Sequence, residues 1–251
     1  MVTWIRYSTQ GGDPQDVRFH PKNPDVVYGC SAHGSVCGFS VSTRKQIAEY
    51  VHGSVIQTLA ISYDGARLVS LCDGDNIDVL VWDTTSTGAG EQSLHGGDTK
   101  AMEIAALEFS HDGSKLAAVI DNCDYVQVLE TESGKLLTSI EFYTSRDNCC
   151  FSPDDSQLLV SKGRNLVVFN VENGKEVDRF KNIYGYETGR ACFSPQGQLA
   201  VQGLDQRYAR SKIKIFTYPD KQLVQQFDDL SDNNTFIPCV SNLPYILSFL
   251  L

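Results

Sequence analysis

One short segment near the N-terminus carries the residue types that metal binding and nucleophilic chemistry most often use. Cys30, His33 and Cys37 lie close together in it, and two thiolates with an imidazole could hold zinc if another loop supplied a fourth ligand. Their spacing matches no recognised zinc module. The overlapping run Gly29 to Gly34 misses the Gly-X-Ser-X-Gly pattern of a nucleophile elbow by one residue. We therefore expect these cysteines to pack in a core, and we predict no metal, no catalytic residue and no cofactor.

The remaining cysteines also fit core packing better than chemistry. Strand-like segments carry Cys72, Cys123, Cys149, Cys150, Cys192 and Cys239, and buried free cysteine behaves as a small apolar residue. Cys149 and Cys150 are adjacent, so on a strand they point to opposite faces and should not form a disulfide. No Gly-rich phosphate loop is present, so nucleotide binding is not expected.

The charge balance limits the classes of partner. The 251 residues include 21 basic and 31 acidic side chains, a net charge of −10. This charge opposes direct nucleic-acid binding, because phosphate backbones repel an acidic surface. No apolar run approaches the roughly 18 residues of a membrane span, and the chain opens without a secretory signal pattern. We expect a cytoplasmic protein, with a nuclear location left open, and no membrane partner.

An internal repeat organises the chain. Five copies of one pattern, an apolar strand end followed by a Ser or His turn, occur at regular spacing. They are anchored on Phe19, Ile61, Phe109, Phe151 and Phe193, with spacings of 42, 48, 42 and 42 residues. Each copy is followed by further apolar strands separated by polar turns, such as Ser156 to Ser161, Asn165 to Asn170 and Lys175 to Phe180. A period of 40 to 48 residues with four short strands is typical of a β-propeller.

The strands are apolar on both faces, so neighbouring sheets must cover each sheet. The sequence predicts an all-β, single-domain β-propeller over residues 1–251, made of four-stranded antiparallel blades. The predicted blades are about 15–51, 55–95, 103–142, 147–181 and 189–227, with a partial sixth from 235–251 and a leading strand at 2–8. The sixth blade lacks a third strand. A truncated six- or seven-bladed ring and a strand supplied by a partner are both compatible with that gap.

The repeats resemble the WD-repeat and YVTN-like propeller superfamily. Val79 to Asp83 ends in the Trp-Asp dipeptide, and the runs FSPDD and FSPQG are similar to the family's first-strand motif. In the other units Phe39, Leu129, Phe169 and Phe216 fill the Trp position, and the family's Gly-His dipeptide is absent. The resemblance implies a rigid ring that presents loops to protein partners.

The loops on one propeller face supply the candidate interface. The connections from strand two to three and from strand four to the next blade carry Asp73, Asp75, Asp121 and Asp124 in units two and three. The later units supply a basic, Tyr-bearing sector, and Tyr with Arg is typical of interface hot spots. We predict that this sector binds other proteins through an acidic peptide or segment. Its candidate residues are Arg146, Lys162, Arg164, Tyr184, Tyr186, Arg190, Arg207, Tyr208 and Arg210.

Two functions from different classes remain open. The first is a non-catalytic protein-interaction platform, a subunit or adaptor of a larger complex. The alternative is a propeller enzyme, similar to a lactonase or a quinoprotein, with a site at the central channel. A channel with three or more inward carboxylates or imidazoles would favour catalysis, and a variable loop surface would favour binding.

Overall fold

Five antiparallel sheets of four strands each make up the part of the chain that the computed structural model describes, residues 14–31, 34–51, 55–73, 79–85, 92–93, 104–120, 125–141, 149–194, 196–206 and 212–228. Within each sheet, strands that are consecutive in the chain are neighbours. Sheet one holds β1 (Pro14–Phe19), β2 (Val26–Ser31), β3 (Ser35–Ser40) and β4 (Gln46–Val51). Sheet two holds β5 (Val55–Ile61), β6 (Arg67–Asp73), β7 (Val79–Asp83) and β8 (Gln92–Ser93).

The same order recurs along the chain. Sheet three holds β9 (Ile104–Phe109), β10 (Lys115–Ile120), β11 (Tyr125–Glu130) and β12 (Leu136–Glu141). Sheet four holds β13 (Cys149–Phe151), β14 (Gln157–Lys162), β15 (Asn165–Asn170) and β16 (Glu176–Phe180). Sheet five holds β17 (Glu187–Phe193), β18 (Leu199–Leu204), β19 (Lys212–Phe216) and β20 (Leu223–Phe227). Each anchor of the sequence repeat is the last residue of its sheet's first strand, so the period corresponds to one sheet.

Hydrogen bonds in the turn after the first strand explain why Ser and Asp recur at the same positions in the repeats of sheets two, three and four. In sheet three, Ser110 Oγ accepts a hydrogen bond from Lys115 N at 2.9 Å and donates one to Asp112 Oδ1 at 2.7 Å. Gly113 then takes a positive φ of 71°, which glycine adopts at no steric cost. Ser62 with Asp64 and Ser152 with Asp154 repeat the Ser-to-Asp bond in sheets two and four.

The apolar core lies between successive sheets. One buried cluster joins each consecutive pair of sheets. Every cluster contains the residue that lies two positions before the repeat anchor of the later sheet. These residues are Leu59, Leu107, Cys149 and Ala191. Sheets two, three and four are therefore covered on both faces, as apolar strands require. This packing is consistent with propeller blades. The predicted partial sixth blade, at 2–8 and 235–251, lies outside the described residues, and the blade number stays a prediction.

Two charged side chains join sheet one to sheet two. The first strand of each sheet is an edge strand, so its outer backbone groups need partners. Asp16 Oδ2 accepts hydrogen bonds from Leu59 N and Thr58 Oγ1, both at 3.0 Å. Arg18 Nε donates to Leu59 O at 3.0 Å and pairs with Asp16 at 2.9 Å. The pair thus satisfies both backbone groups of one residue on β5.

A second junction joins sheets two, three and four. Asp155 has a φ of 56° at the position where the turns of sheets two, three and five carry glycine. Its carboxylate accepts hydrogen bonds from His111 N, His111 Nδ1 and Asp112 N at 2.8, 2.8 and 2.9 Å. The His111 ring lies 4.3 Å from the ring of Tyr63. The cross-sheet bonds explain why a non-glycine residue occupies this strained position.

Trp82 of the Trp-Asp dipeptide links two neighbouring strands of sheet two. Trp82 on β7 is buried, and its indole Nε1 donates to Ser70 Oγ on β6 at 2.8 Å. This bond fixes one strand of the sheet to its neighbour and satisfies the buried indole N–H. The described residues contain no helix long and apolar enough to cross a membrane.

Candidate functional site

Two connections of sheets four and five form one continuous surface, which we call the basic loop surface and define by Lys162, Arg164, Lys181 and Tyr186. The first connection is the β14–β15 turn and the second runs from β16 to β17. They are held together because Ile183 N donates to Arg164 O at 2.9 Å and Asn182 N donates to the Asn165 side chain at 3.0 Å. The surface is therefore positioned by backbone hydrogen bonds as well as by its flanking strands.

The basic loop surface presents positive charge and one aromatic ring to solvent. Arg164 and Lys181 are exposed, and Tyr186 is 40% exposed. The field of the lysines reaches Glu176, whose pKa lies below its usual range mainly because Arg179 donates a hydrogen bond to it, with Lys162 and Lys181 contributing further. Arginine and tyrosine side chains at an accessible site are well suited to contact a carboxylate-bearing segment.

The structure separates the predicted site residues into different environments. Tyr184 is only 1% exposed, and its hydroxyl donates to Val201 O at 2.6 Å, so it is a core residue and cannot contact a partner. The Lys214 ammonium lies 4.5 Å from the centre of the Tyr184 ring. Arg190 lines an inner cavity between the sheets. The prediction that one surface holds both Tyr184 and Arg190 therefore needs correction.

The rest of the predicted set lies outside the described residues, as do three of the acidic loop residues. These are Arg146, Arg207, Tyr208, Arg210, Asp75, Asp121 and Asp124. Lys181 was not in the predicted set, although its position directly after the fourth strand of unit four is the signal that would have identified it.

The inner cavity lies between the first strands of all five sheets. Its lining comes from β1, β5, β9, β13 and β17 and from the turn after β5, and its volume is about 530 Å³ including the solvent-open mouth. Arg18, Tyr63, Glu108, Cys192 and Arg190 supply the polar part of the wall. Among the described lining residues Glu108 alone is a carboxylate and none is an imidazole, which is fewer than the three groups that would favour catalysis.

The Glu108 carboxylate lies in an unusual environment in the cavity. Burial raises its pKa to about 7, against the opposing effect of the positive charges of Arg18, His111 and Arg190. No described residue donates a hydrogen bond to this carboxylate. Burial also raises the pKa of the neighbouring Tyr63 hydroxyl and Cys149 thiol. Both groups are therefore neutral at physiological pH.

The cysteine segment does not form a nucleophile in the described part of the chain. Cys30 is buried, its Sγ lies 3.8 Å from Asp16 O, and burial raises its pKa to about 12. It is therefore a thiol rather than a metal-binding thiolate. His33 lies outside the described residues, and no group of three His, Cys, Asp or Glu among those described is placed to hold a metal. Cys149 and Cys150 belong to different core clusters, which confirms that they face opposite ways.

Comparison with known proteins gives one distant similarity. No family model matches the chain. Over 156 residues, 61% of its length, the chain is 24% identical to the probable U3 small nucleolar RNA-associated protein 18 of Schizosaccharomyces pombe. It covers 30% of that protein. The similarity and the five antiparallel sheets together fit a WD-repeat-like propeller. The relative's name also leaves the predicted exclusion of nucleic acid without support.

Proposed function

We propose that the chain is a non-catalytic protein-interaction platform, a WD-repeat-like subunit or adaptor of a larger complex. In this proposal the five sheets are blades of one propeller domain spanning residues 1–251. The basic loop surface is the observation that carries the proposal, because two separate connections are hydrogen-bonded into one accessible, charged and aromatic surface. Binding sites on rigid scaffolds are commonly built from such loops.

The partner that fits this surface is an acidic peptide or protein segment. Arg164 can form a bidentate pair with a carboxylate, and Lys162 and Lys181 add a positive field that speeds encounter. Tyr186 offers a flat ring that loses little conformational entropy on binding. The chain as a whole is acidic, with a net charge of −10. An acidic partner is therefore repelled by most of the molecule and attracted to this local positive surface.

The distant relative supports a role in an RNA-associated assembly. Its name describes association with a small nucleolar RNA, and by analogy we propose that this chain works as a protein-binding subunit of such an assembly in the nucleus. This location is the one that the sequence left open beside the cytoplasm. Protein contacts, rather than direct RNA contacts, agree with the acidic charge of the chain.

Affinity purification of the tagged full chain, with and without ribonuclease, tests the proposal. We expect a discrete set of proteins to co-purify, and at least one of them to remain after ribonuclease treatment because it contacts the chain directly. Recovery of RNA alone, or loss of every protein with ribonuclease, would contradict a protein-binding role. Recovery of no partner from any cell fraction would contradict the platform itself.

A further inference from the structure

The first residue of the β1–β2 turn differs in type from its counterparts in the other four sheets. Directly after the repeat anchor, sheet one carries His20. The other sheets carry serine there, at Ser62, Ser110, Ser152 and Ser194. Each serine Oγ accepts a backbone N–H from at or next to the start of the second strand, at 2.9 to 3.1 Å. A hydroxyl does not titrate near neutral pH, whereas an imidazole does.

His20 closes its turn by accepting hydrogen bonds. Its Nδ1 accepts from Lys22 N and from Asn23 N, both at 3.1 Å. An imidazole nitrogen accepts a hydrogen bond only when it carries no proton, so the proton of the neutral ring lies on Nε2. Protonation of the ring places an N–H on Nδ1 as well, where it faces two other donors. Both bonds are therefore lost in the imidazolium form.

The His20 ring is also part of the junction between sheets one and two. A Cβ added at Gly65, in the β5–β6 turn, would lie 2.2 Å from His20 Cε1 and 2.4 Å from Nε2. The ring therefore packs directly against the backbone of Gly65. The ring of Tyr28, on β2, lies 6.5 Å from the His20 ring. A movement of the His20 ring thus changes both its own turn and the contact with sheet two.

Charged and titratable groups face His20 from three elements. Burial lowers the pKa of His20, and the positive charge of Lys22 in the same turn acts in the same direction. The negative charge of Asp64, in the β5–β6 turn, opposes them. Burial raises the pKa of Tyr28 to about 12, so this residue is uncharged near neutral pH. The two N–H groups at Nδ1 also favour the neutral ring, because only that form accepts their bonds.

We propose that His20 is a pH-sensitive latch of the β1–β2 turn: its neutral ring holds the turn closed against sheet two, and its protonation opens the turn. The opening reaches a second hairpin, because Asp25 at the end of this turn accepts hydrogen bonds from Ser40 Oγ and Ser42 N, both at 2.7 Å. The strand order places both hairpins at the sheet ends opposite to the basic loop surface. The latch therefore does not depend on the proposed function.

NMR on the full chain between pH 5 and pH 8 tests the latch. Ring ¹H–¹⁵N spectra should show His20 Nδ1 without a proton at pH 8, and the His20 titration midpoint should lie below its value in the urea-unfolded chain. Amide exchange, corrected for its intrinsic pH dependence, reports the turn. Protection of the Lys22 and Asn23 amides should fall at least about tenfold from pH 7.5 to pH 5. The Lys115 amide donates to Ser110 Oγ and should keep its protection.

His20→Asn is the matched variant, because its side-chain oxygen can accept the same two bonds and does not titrate. It should keep the protection of both amides at pH 5. Relative to this variant, the wild type should lose stability to urea as the pH falls below about 6.5, since the unfolded chain binds the His20 proton more readily than the folded chain. Glu108 is present in both proteins, so its own pH dependence cancels. His20→Ser, with the residue of the other four sheets, replaces His20→Asn if that variant does not fold.

Three results on the wild type would each overturn the proposal. They are a proton on His20 Nδ1 at pH 8, a His20 titration midpoint at or above that of the unfolded chain, and unchanged protection of the Lys22 and Asn23 amides at pH 5. Because all three are measured on the wild-type chain, they stand even if a variant fails to fold. None of them bears on co-purification of protein partners, so the platform role is tested separately.

Discussion

Removing the Asp155 carboxylate should reveal how strongly the sheets depend on one another. The carboxylate is 10% exposed and accepts three hydrogen bonds from the turn of the preceding sheet. A net value of about 1 kcal/mol for each bond gives about 3 kcal/mol for the loss of all three, and Asp155→Gly should cost about 2 kcal/mol because glycine relieves about 1 kcal/mol of backbone strain at this position. Asp155→Ala should cost about 1 kcal/mol more, because alanine is strained at the φ of 56° and glycine is not.

Equilibrium urea unfolding at pH 7, followed by circular dichroism, measures these differences. Asp220→Ala is the matched control, since it removes an exposed carboxylate and should change the free energy of unfolding by less than about 0.5 kcal/mol. In a His111→Ala background the Asp155→Gly cost should fall, because one of the partners is already absent. If Asp155→Gly is as stable as the wild type, the junction does not hold the sheets together and our reasoning on this contact is wrong.

Three further changes test the packing and the cavity. Gly65→Ala should lower the free energy of unfolding by more than about 2 kcal/mol, because a Cβ there would lie 2.2 Å from the His20 ring. Gly163→Ala places its Cβ where no atom lies within 4 Å, so it should cost only about 1 kcal/mol of backbone strain. Thermal unfolding compares the two variants. Trp82→Phe should cost about 2 kcal/mol through the lost indole bond and volume, measured by urea unfolding, and an unchanged midpoint would contradict that role. Glu108 should lower the free energy of unfolding by up to about 3 kcal/mol as the pH rises from about 4.5 to about 7, because the folded protein retains a proton that the unfolded chain releases. Urea unfolding curves at a series of pH values measure this loss, and Glu108→Gln should lack it.

The repeat in the sequence predicted the sheets because the interactions that define strands and turns are made between residues close together in the chain. Strand ends, turn glycines and the Ser-to-Asp turn bond all depend on residues that are close in the chain. The predicted strand Asn165 to Asn170 matches β15. The strand predicted before it is shifted by one residue at both ends relative to β14, and the strand predicted after it begins one residue before β16. The polar turn between β15 and β16 contains Gly174 at a φ of 66°.

The candidate site was less predictable because it depends on how sheets lie against one another. Tyr184 and Tyr186 are two residues apart in one loop, yet the first is buried and the second is exposed. Nothing in the local pattern distinguishes them. Arg190 likewise lies in a predicted loop sector, but its strand lines the cavity. Asp155 could be placed in a turn from the sequence, whereas its bonds to His111 required the neighbouring sheet.

Co-purification with a charge-reversed basic loop surface tests the proposed function most directly. Arg164→Glu with Lys181→Glu should reduce recovery of the direct, ribonuclease-resistant partner at least about tenfold, since two attractive contacts become repulsive. Lys135→Glu with Lys175→Glu is the matched control, because it makes the same change in charge at exposed hairpin turns of the opposite sheet ends. We expect normal recovery for the control. Equal recovery of the partner by both double variants would contradict the assignment of this surface as the docking site.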